Sequence, residues 1–280
     1  MITAIVSRKI TLLVLFVLLS AGVSHAAIVT TGLQVYLDAN SIGLNNGDPV
    51  SAWNSTGPAT VNAAQVTGVR QPTYVTNGPN GNAVVRFDGG LVAGGMPEAD
   101  YMNLGSITAG TAYTAFFVLK VDTEPHAPNQ SGLAKLNNYD QDTHYPYSDG
   151  NVYDATLATV RKSTGNPTLN LTQYHIYSVE SQPGFWRSRF NGTPFFTTNT
   201  NTPAVNASGI GNVIGASTVG AQHLDGDFAA ILIYNVALNT DQYYETLGAL
   251  STQFAITVPE PSSISMLLCG AFALWLVRKK

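Results

Sequence analysis

Two stretches decide the fold class: GDFAAILIYN, residues 226–235, and TDQYYETLGALSTQF, residues 240–254. Within the first, AAILIY is apolar on both faces of a period-2 pattern. That predicts a central strand buried from both sides. Within the second, Tyr243, Leu247, Leu250 and Phe254 fall at i, i+4, i+7 and i+11, one apolar stripe along a helix. Asn239 is placed to cap this helix, Asp241 lies in its first turn, and Gln242 completes a capping-box pattern. The helix is expected to pack on the edge of a β structure.

Outward from there, the chain reads as short strands between turns. LQVYLD (33–38), AVVRFDG (83–89), YTAFFVLKV (113–121), QYHIYSVES (173–181) and GFWRSRFNG (184–192) carry β-branched and aromatic residues bounded by turn signals. In 184–192, Trp186 and Phe190 share one face and Phe185, Arg187 and Arg189 the other. NGPNGN (77–82) and FNGTP (190–194) hold Asn-Gly pairs suited to tight turns. GIGNVIG (209–215) reads as a glycine-rich strand and turn, and TTNTNTPAVNAS (197–208) as an exposed loop. No linker divides residues 27–257, which are expected to form one domain. The fold class is all-β, a β-sandwich or jelly roll with a short C-terminal helix.

Particular segments allow more. GLQVYLDAN (32–40), the following Trp53 and NGPNGNAVVRFDG (77–89) resemble the opening of a LamG-like, concanavalin A-like domain. YSVESQPGFWRSRFNGTPFF (177–196) resembles its middle hairpin, and residues 224–256 resemble its closing strand and helix. The resemblance implies a concanavalin A-like jelly roll. It implies no single function, since that fold hosts lectins, glycan hydrolases, adhesion modules and structural parts. The family's closing segment has an acid after the small residue of the buried strand; Ala229 and Ala230 stand there, so no role of that acid carries over.

The two ends read as addresses. Arg8 and Lys9 precede the apolar run 10–19, and Ser24-His25-Ala26 offers small residues to a signal peptidase. Residues 1–26 are therefore expected to be a secretory signal peptide. At the other end, Pro259-Glu260-Pro261 precedes an uncharged run from Ile264 to Val277, then Arg278, Lys279 and Lys280. That run spans about 21 Å as a helix, short of a hydrocarbon core of about 30 Å. The basic end would stay cytoplasmic and leave the domain outside. A triplet, a short span over 262–277 and a basic cluster within 258–280 resemble the PEP-CTERM sorting signal. The resemblance implies a Gram-negative bacterium making extracellular polysaccharide. It also implies recognition by an exosortase-type membrane enzyme, with transient anchoring in the inner membrane. The product would reach the cell envelope, outer surface or extracellular biofilm matrix. Cys269, the one cysteine, lies inside this span, so the exported domain has no disulfide.

Charge narrows the function. Residues 27–258 hold eight basic and sixteen acidic residues, a net charge of −8. Eight scattered cations make no basic stripe, which argues against nucleic acid. The sequence contains no H-E-x-x-H, G-x-S-x-G, P-loop or G-x-G-x-x-G. It also lacks the E-x-D-x-E strand used by glycan hydrolases of the resembled fold. Glu98 and Asp100 share one side of a short extended segment and read as a solvated pair. His126, His144, His175 and His223 stand apart, without metal-ligand spacing.

The segment NNYDQDTHYPYSDGNVYDATL (137–157) is the richest in chemistry. Asp140, Asp142, Asp149 and Asp154 are candidate ligands for calcium, which takes several carboxylate and carbonyl oxygens. Tyr139, Tyr145, Tyr147 and Tyr153 are candidate aromatic faces for a sugar. The same residues could equally make turns and pack beneath a long surface loop. The leading expectation is an exported, non-catalytic surface or matrix protein, adhesive or structural, with extracellular polysaccharide as a partner. A glycan hydrolase or lyase on the same fold, and an architectural module with no ligand, are the rival readings.

Overall fold

The computed structural model describes residues 26–89, 99–124, 131–139, 143–218 and 221–259. The predicted membrane span 262–277 and residues 1–25 lie outside them. Among the described residues no helix is long and apolar enough to cross a membrane.

The described residues form an all-β sandwich with one α-helix. Its large sheet combines β1 (Leu33–Asp38), β4 (Thr73–Val75), β5 (Val84–Asp88), β7 (Tyr113–Val121), β11 (His175–Gln182), β12 (Phe185–Phe190), β13 (Thr193–Thr198) and β17 (Asp225–Tyr234). The order is β13-β12-β11-β7-β17-β5-β4, antiparallel throughout, with β1 pairing the second half of β17. A smaller sheet, β2 (Ala52–Trp53), β3 (Ala63–Ala64), β6 (Met102–Leu104), β14 (Val213–Ile214) and β8 (Ala134–Lys135), faces it. Two hairpins complete that layer: β9 (Val152–Asp154) with β10 (Lys162–Gly165), and β15 (Ala216–Thr218) with β16 (Ala221–His223).

The two-sided apolar pattern of the closing strand is explained by two cores. Ile231 and Ile233 point between the sheets with Phe117, Val179, Trp186 and Trp53. Leu232 and Tyr234 point outward, with Phe116, Val118 and Ile176, and are covered by α1 (Thr240–Phe254). The helix thus lies on the outer face of the large sheet, not on the edge of the sandwich as expected. Small Ala229 and Ala230, at a bulge in β17, leave that face low enough to receive it. Gly226 lets β17 close on β7; a Cβ there would lie 2.3 Å from the Lys120 carbonyl oxygen.

The capping box forms as expected: Gln242 N–H donates to Asn239 Oδ1 at 3.0 Å, and Asn239 N–H donates to Gln242 Oε1 at 3.1 Å. All four stripe residues are buried, each contributing about 1.5–3 kcal/mol through lost apolar exposure. Arg189 lies beneath the helix, its guanidinium carbon 4.2 Å from the Tyr243 ring centroid. Glu180 receives both Arg189 and Arg187, at 3.2 and 2.7 Å. Ile28, Val29 and Val258 also join the helix-side core, so both ends of the described chain lie against α1.

Candidate functional site

The 137–157 segment divides by depth. Tyr145 and Asp154 do not face solvent, contrary to their expected roles as sugar platform and calcium ligand. Tyr145 reaches His175 Nε2 at 2.6 Å and packs at a tilt against the Tyr177 ring, centroids 4.8 Å apart. His175 Nδ1 lies 2.8 Å from the Gln173 carbonyl, and burial lowers its pKa to about 4, so it is the neutral acceptor for the tyrosine. Asp154 accepts from the Tyr177 hydroxyl and the Thr156 N–H, both at 2.5 Å. Its burial raises its pKa, and these hydrogen bonds oppose the rise. Asp154 is drawn inward because β9 alternates, sending Val152 and Asp154 to the core and Tyr153 outward.

The outward half stays together at the surface. Tyr153 donates to Asp149 Oδ2 at 2.8 Å, and Asp149 also accepts from the Asn151 backbone and side chain, which holds its pKa below the usual carboxylate range. Tyr147 meets Tyr153 edge-on at 6.0 Å and packs on His144 at 4.7 Å. The Arg161 guanidinium stands 5.6 Å from the Tyr153 ring centroid. Tyr139 is 48% exposed on the preceding turn. Asp140 and Asp142 lie outside the described residues. Among the described residues no group of three or more acidic, histidine or cysteine side chains is arranged to hold a metal.

Beside this aromatic surface is a cleft of about 280 Å³, which sequence reasoning did not locate. One wall is Thr159 to Lys162, leading into β10; the other is Phe196 and Thr198 of edge strand β13 with the turn Thr200 to Thr202. The walls are joined where Thr159 N–H donates to the Thr202 carbonyl at 3.0 Å. Asn201 anchors the outer wall, its side-chain amide donating to Ser181 Oγ, the Gln182 carbonyl and the Phe185 carbonyl. The Lys162 ammonium donates to the Val160 carbonyl at 2.6 Å and Asn201 Oδ1 at 2.8 Å, and stands over the buried Trp186 ring at 5.6 Å. Trp186 meets Phe196 edge-on at 6.1 Å. Arg161 belongs to both features, lining the cleft and covering Tyr153. Four threonines, one asparagine, two cationic side chains and an aromatic ring line the space, and among the described residues no carboxylate does.

Other acids have structural surroundings. Asp227 is fully buried and takes a two-pronged bond from Arg86 at 2.8 and 3.0 Å, with the Tyr174 hydroxyl at 2.6 Å. Asp100 is 5% exposed, not solvated as expected; it accepts from the Asp88 N–H, and burial raises its pKa to about 7. Glu98 lies outside the described residues.

No protein-family model matches the sequence, and no curated protein matches it. Among solved structures, the chain is similar to the binding domain of Paraclostridial Mosquitocidal Protein 1, at 15% identity and a TM-score of 0.50, over 79% of this chain and 52% of that one. It is also similar to domain 4 of a GH43 extracellular arabinanase from Geobacillus stearothermophilus in complex with arabinotriose. That match has 13% identity and a TM-score of 0.49, over 78% of this chain and 98% of that domain. Trypanosoma rangeli sialidase matches at 17% identity and a TM-score of 0.47, over 84% of this chain. The chain spans about a third of the sialidase's length, 35%. At these identities the likeness is one of fold.

Two signals could have found the cleft. Arg161-Lys162 is a cationic pair in a domain of net charge −8. The Thr/Asn-rich run 197–208 supplies hydroxyls and amides in a short space.

Proposed function

We propose that this chain is an exported, non-catalytic carbohydrate-binding protein of the cell surface or biofilm matrix, built on a LamG-like, concanavalin A-like jelly roll. The observation that carries the reading is the cleft: hydroxyl and amide groups beside the Phe196 ring, with the Tyr147–Tyr153 surface adjoining. Sugars take polar groups at their hydroxyls and an aromatic face at their C–H surface. Among the described residues no carboxylate lines the cleft, which favours binding over hydrolysis, since hydrolysis ordinarily needs two. Export by residues 1–26 and sorting by an exosortase-type enzyme at 258–280 belong to the same proposal. Support for outward display comes from the chain ends: Ile28, Val29 and Val258 pack on the helix side, while the cleft is built over Trp186 on the opposite side of the large sheet.

The test is titration of the protein into soluble polysaccharides while new reducing ends are counted. Saturable binding without new ends is expected, with loss on Phe196→Ala. New reducing ends would make the protein a hydrolase, and absence of binding across neutral and acidic polymers would leave an architectural role.

A further inference from the structure

The two walls of the cleft meet in a contact that places an amine against an amide carbon. Lys162 Nζ donates to Asn201 Oδ1 at 2.8 Å and to the Val160 carbonyl at 2.6 Å. A C=O bond is about 1.23 Å long, so the amide carbon of Asn201 lies within about 4 Å of the amine. The other end of that amide is fixed. Its NH2 group donates to Ser181 Oγ at 2.9 Å, the Gln182 carbonyl at 3.0 Å and the Phe185 carbonyl at 3.3 Å. Nucleophile and carbonyl thus come from segments 39 residues apart and are held in one place, which replaces a chance encounter of free groups.

The surroundings suit acyl transfer to the amine. Lys162 is 8% exposed, and the fully buried Trp186 ring lies 5.6 Å from its Nζ. Burial lowers the Lys162 pKa, against the pull of Asp154, and so favours the neutral amine, whose lone pair is the nucleophile. Asp154 stands opposite Lys162 in the strand register. Its own burial raises its pKa, so it holds a proton more readily than an exposed carboxylate does.

We propose that Lys162 and Asn201 react to form an isopeptide bond within the chain, with Asp154 as the proton relay. The Lys162 lone pair attacks Asn201 Cγ, forming a new C–N bond and a tetrahedral centre. A proton passes from the attacking nitrogen by way of Asp154 to Asn201 Nδ2. The Cγ–Nδ2 bond then breaks and ammonia leaves. One amide replaces another, so the step needs no oxidant, reductant or cofactor. The link ties one cleft wall covalently to the other, in a chain whose single cysteine allows no internal disulfide. It acts as a disulfide would, by restricting the unfolded chain. The ammonium described above is the unreacted state, and the bond removes its charge.

The experiment is mass spectrometry of the full chain and of its protease digest. We expect the chain to be lighter than its residues by one ammonia, and the digest to hold a branched peptide joining Lys162 to Asn201. Lys162→Arg and Asn201→Ala should each restore the ammonia, lose the branched peptide and lower the melting temperature. Asp154→Asn should form the link about a hundredfold more slowly, read as unlinked protein that is still folded. Asn-Gly pairs such as Asn46-Gly47 can also lose ammonia, by closing on their own backbone. A mass deficit that survives Lys162→Arg, without a branched peptide, would therefore overturn the proposal. Peptides carrying free Lys162 and intact Asn201, from folded protein, would overturn it too. An undiminished rate in Asp154→Asn would overturn the relay.

Discussion

Asp154 and Tyr177 meet inside the core, where the phenol O–H donates to the carboxylate at 2.5 Å and neither side chain reaches solvent. The pair ties hairpin β9–β10, and with it one wall of the cleft, to β11 of the large sheet. Asp154→Ala strands the Tyr177 hydroxyl and the Thr156 N–H in an apolar setting. We expect a loss of about 2–4 kcal/mol in urea denaturation, with Asp154→Asn costing less because it keeps one acceptor oxygen. A loss below about 0.5 kcal/mol for the alanine variant would show that the pair is not holding the hairpin.

Calcium is the second test. Asp154 is sealed and Asp149 is engaged by Asn151 and Tyr153. If Asp140 and Asp142 bind calcium, millimolar calcium will raise the melting temperature and chelator will reverse it; that response should survive Asp154→Asn and vanish in Asp140→Asn with Asp142→Asn. Loss of the response in the Asp154 variant would return that residue to the ligand set.

The helix end offers a stabilising change. Ala255 follows α1 at φ 51°, a left-handed conformation that costs an L-residue about 1–2 kcal/mol. Ala255→Gly removes the Cβ strain at the C-cap, offset in part by a more flexible unfolded chain. The expected gain is about 0.5–1 kcal/mol, read as a higher melting temperature. An unchanged or lower melting point would mean that the Ala255 methyl contributes packing that outweighs the strain.

Stability should depend on pH through opposed groups. Burial raises the pKa of Asp100 to about 7 and of Asp225 to about 6, with neighbouring acids adding to both. The folded protein therefore keeps protons that the unfolded chain releases above about pH 4, and stability falls as pH rises through that window. His175 and His223, lowered to about 4 by burial, act oppositely: the unfolded chain binds protons that the folded one refuses, so stability rises from about pH 4 to 6.5. Asp100→Asn removes one falling contribution. Its melting temperature should gain on the unaltered protein steadily from about pH 4 to 7. Parallel curves would mean that Asp100 titrates alike in both states.

Much of the scaffold was legible in the sequence because it depends on local chemistry. The strands at 33–38 and 113–121 match the observed bounds, since alternation and β-branched residues act within a few neighbours. The Asn239–Gln242 box and the Tyr243-to-Phe254 stripe are likewise local. The turn at Asn191-Gly192 has both residues at positive φ, 49° and 83°, as that pair favours between hairpin strands.

The depth of the polar residues was not legible. Tyr145, Asp154, Asp100 and Arg189 look like surface residues in their own segments. They are buried because elements distant in sequence cover them, α1 over Arg189 and β11 against Asp154. The cleft has the same origin. Residues 159–162 and 196–202 meet only because β10 comes to lie beside the edge strand β13. The sequence by itself determined the elements and the helix cap, since periodicity and short-range hydrogen bonding set them. Only the tertiary structure decided which carboxylates lose water, which aromatics stay at the surface and where two cations share a cleft, because desolvation is imposed by whatever packs on top.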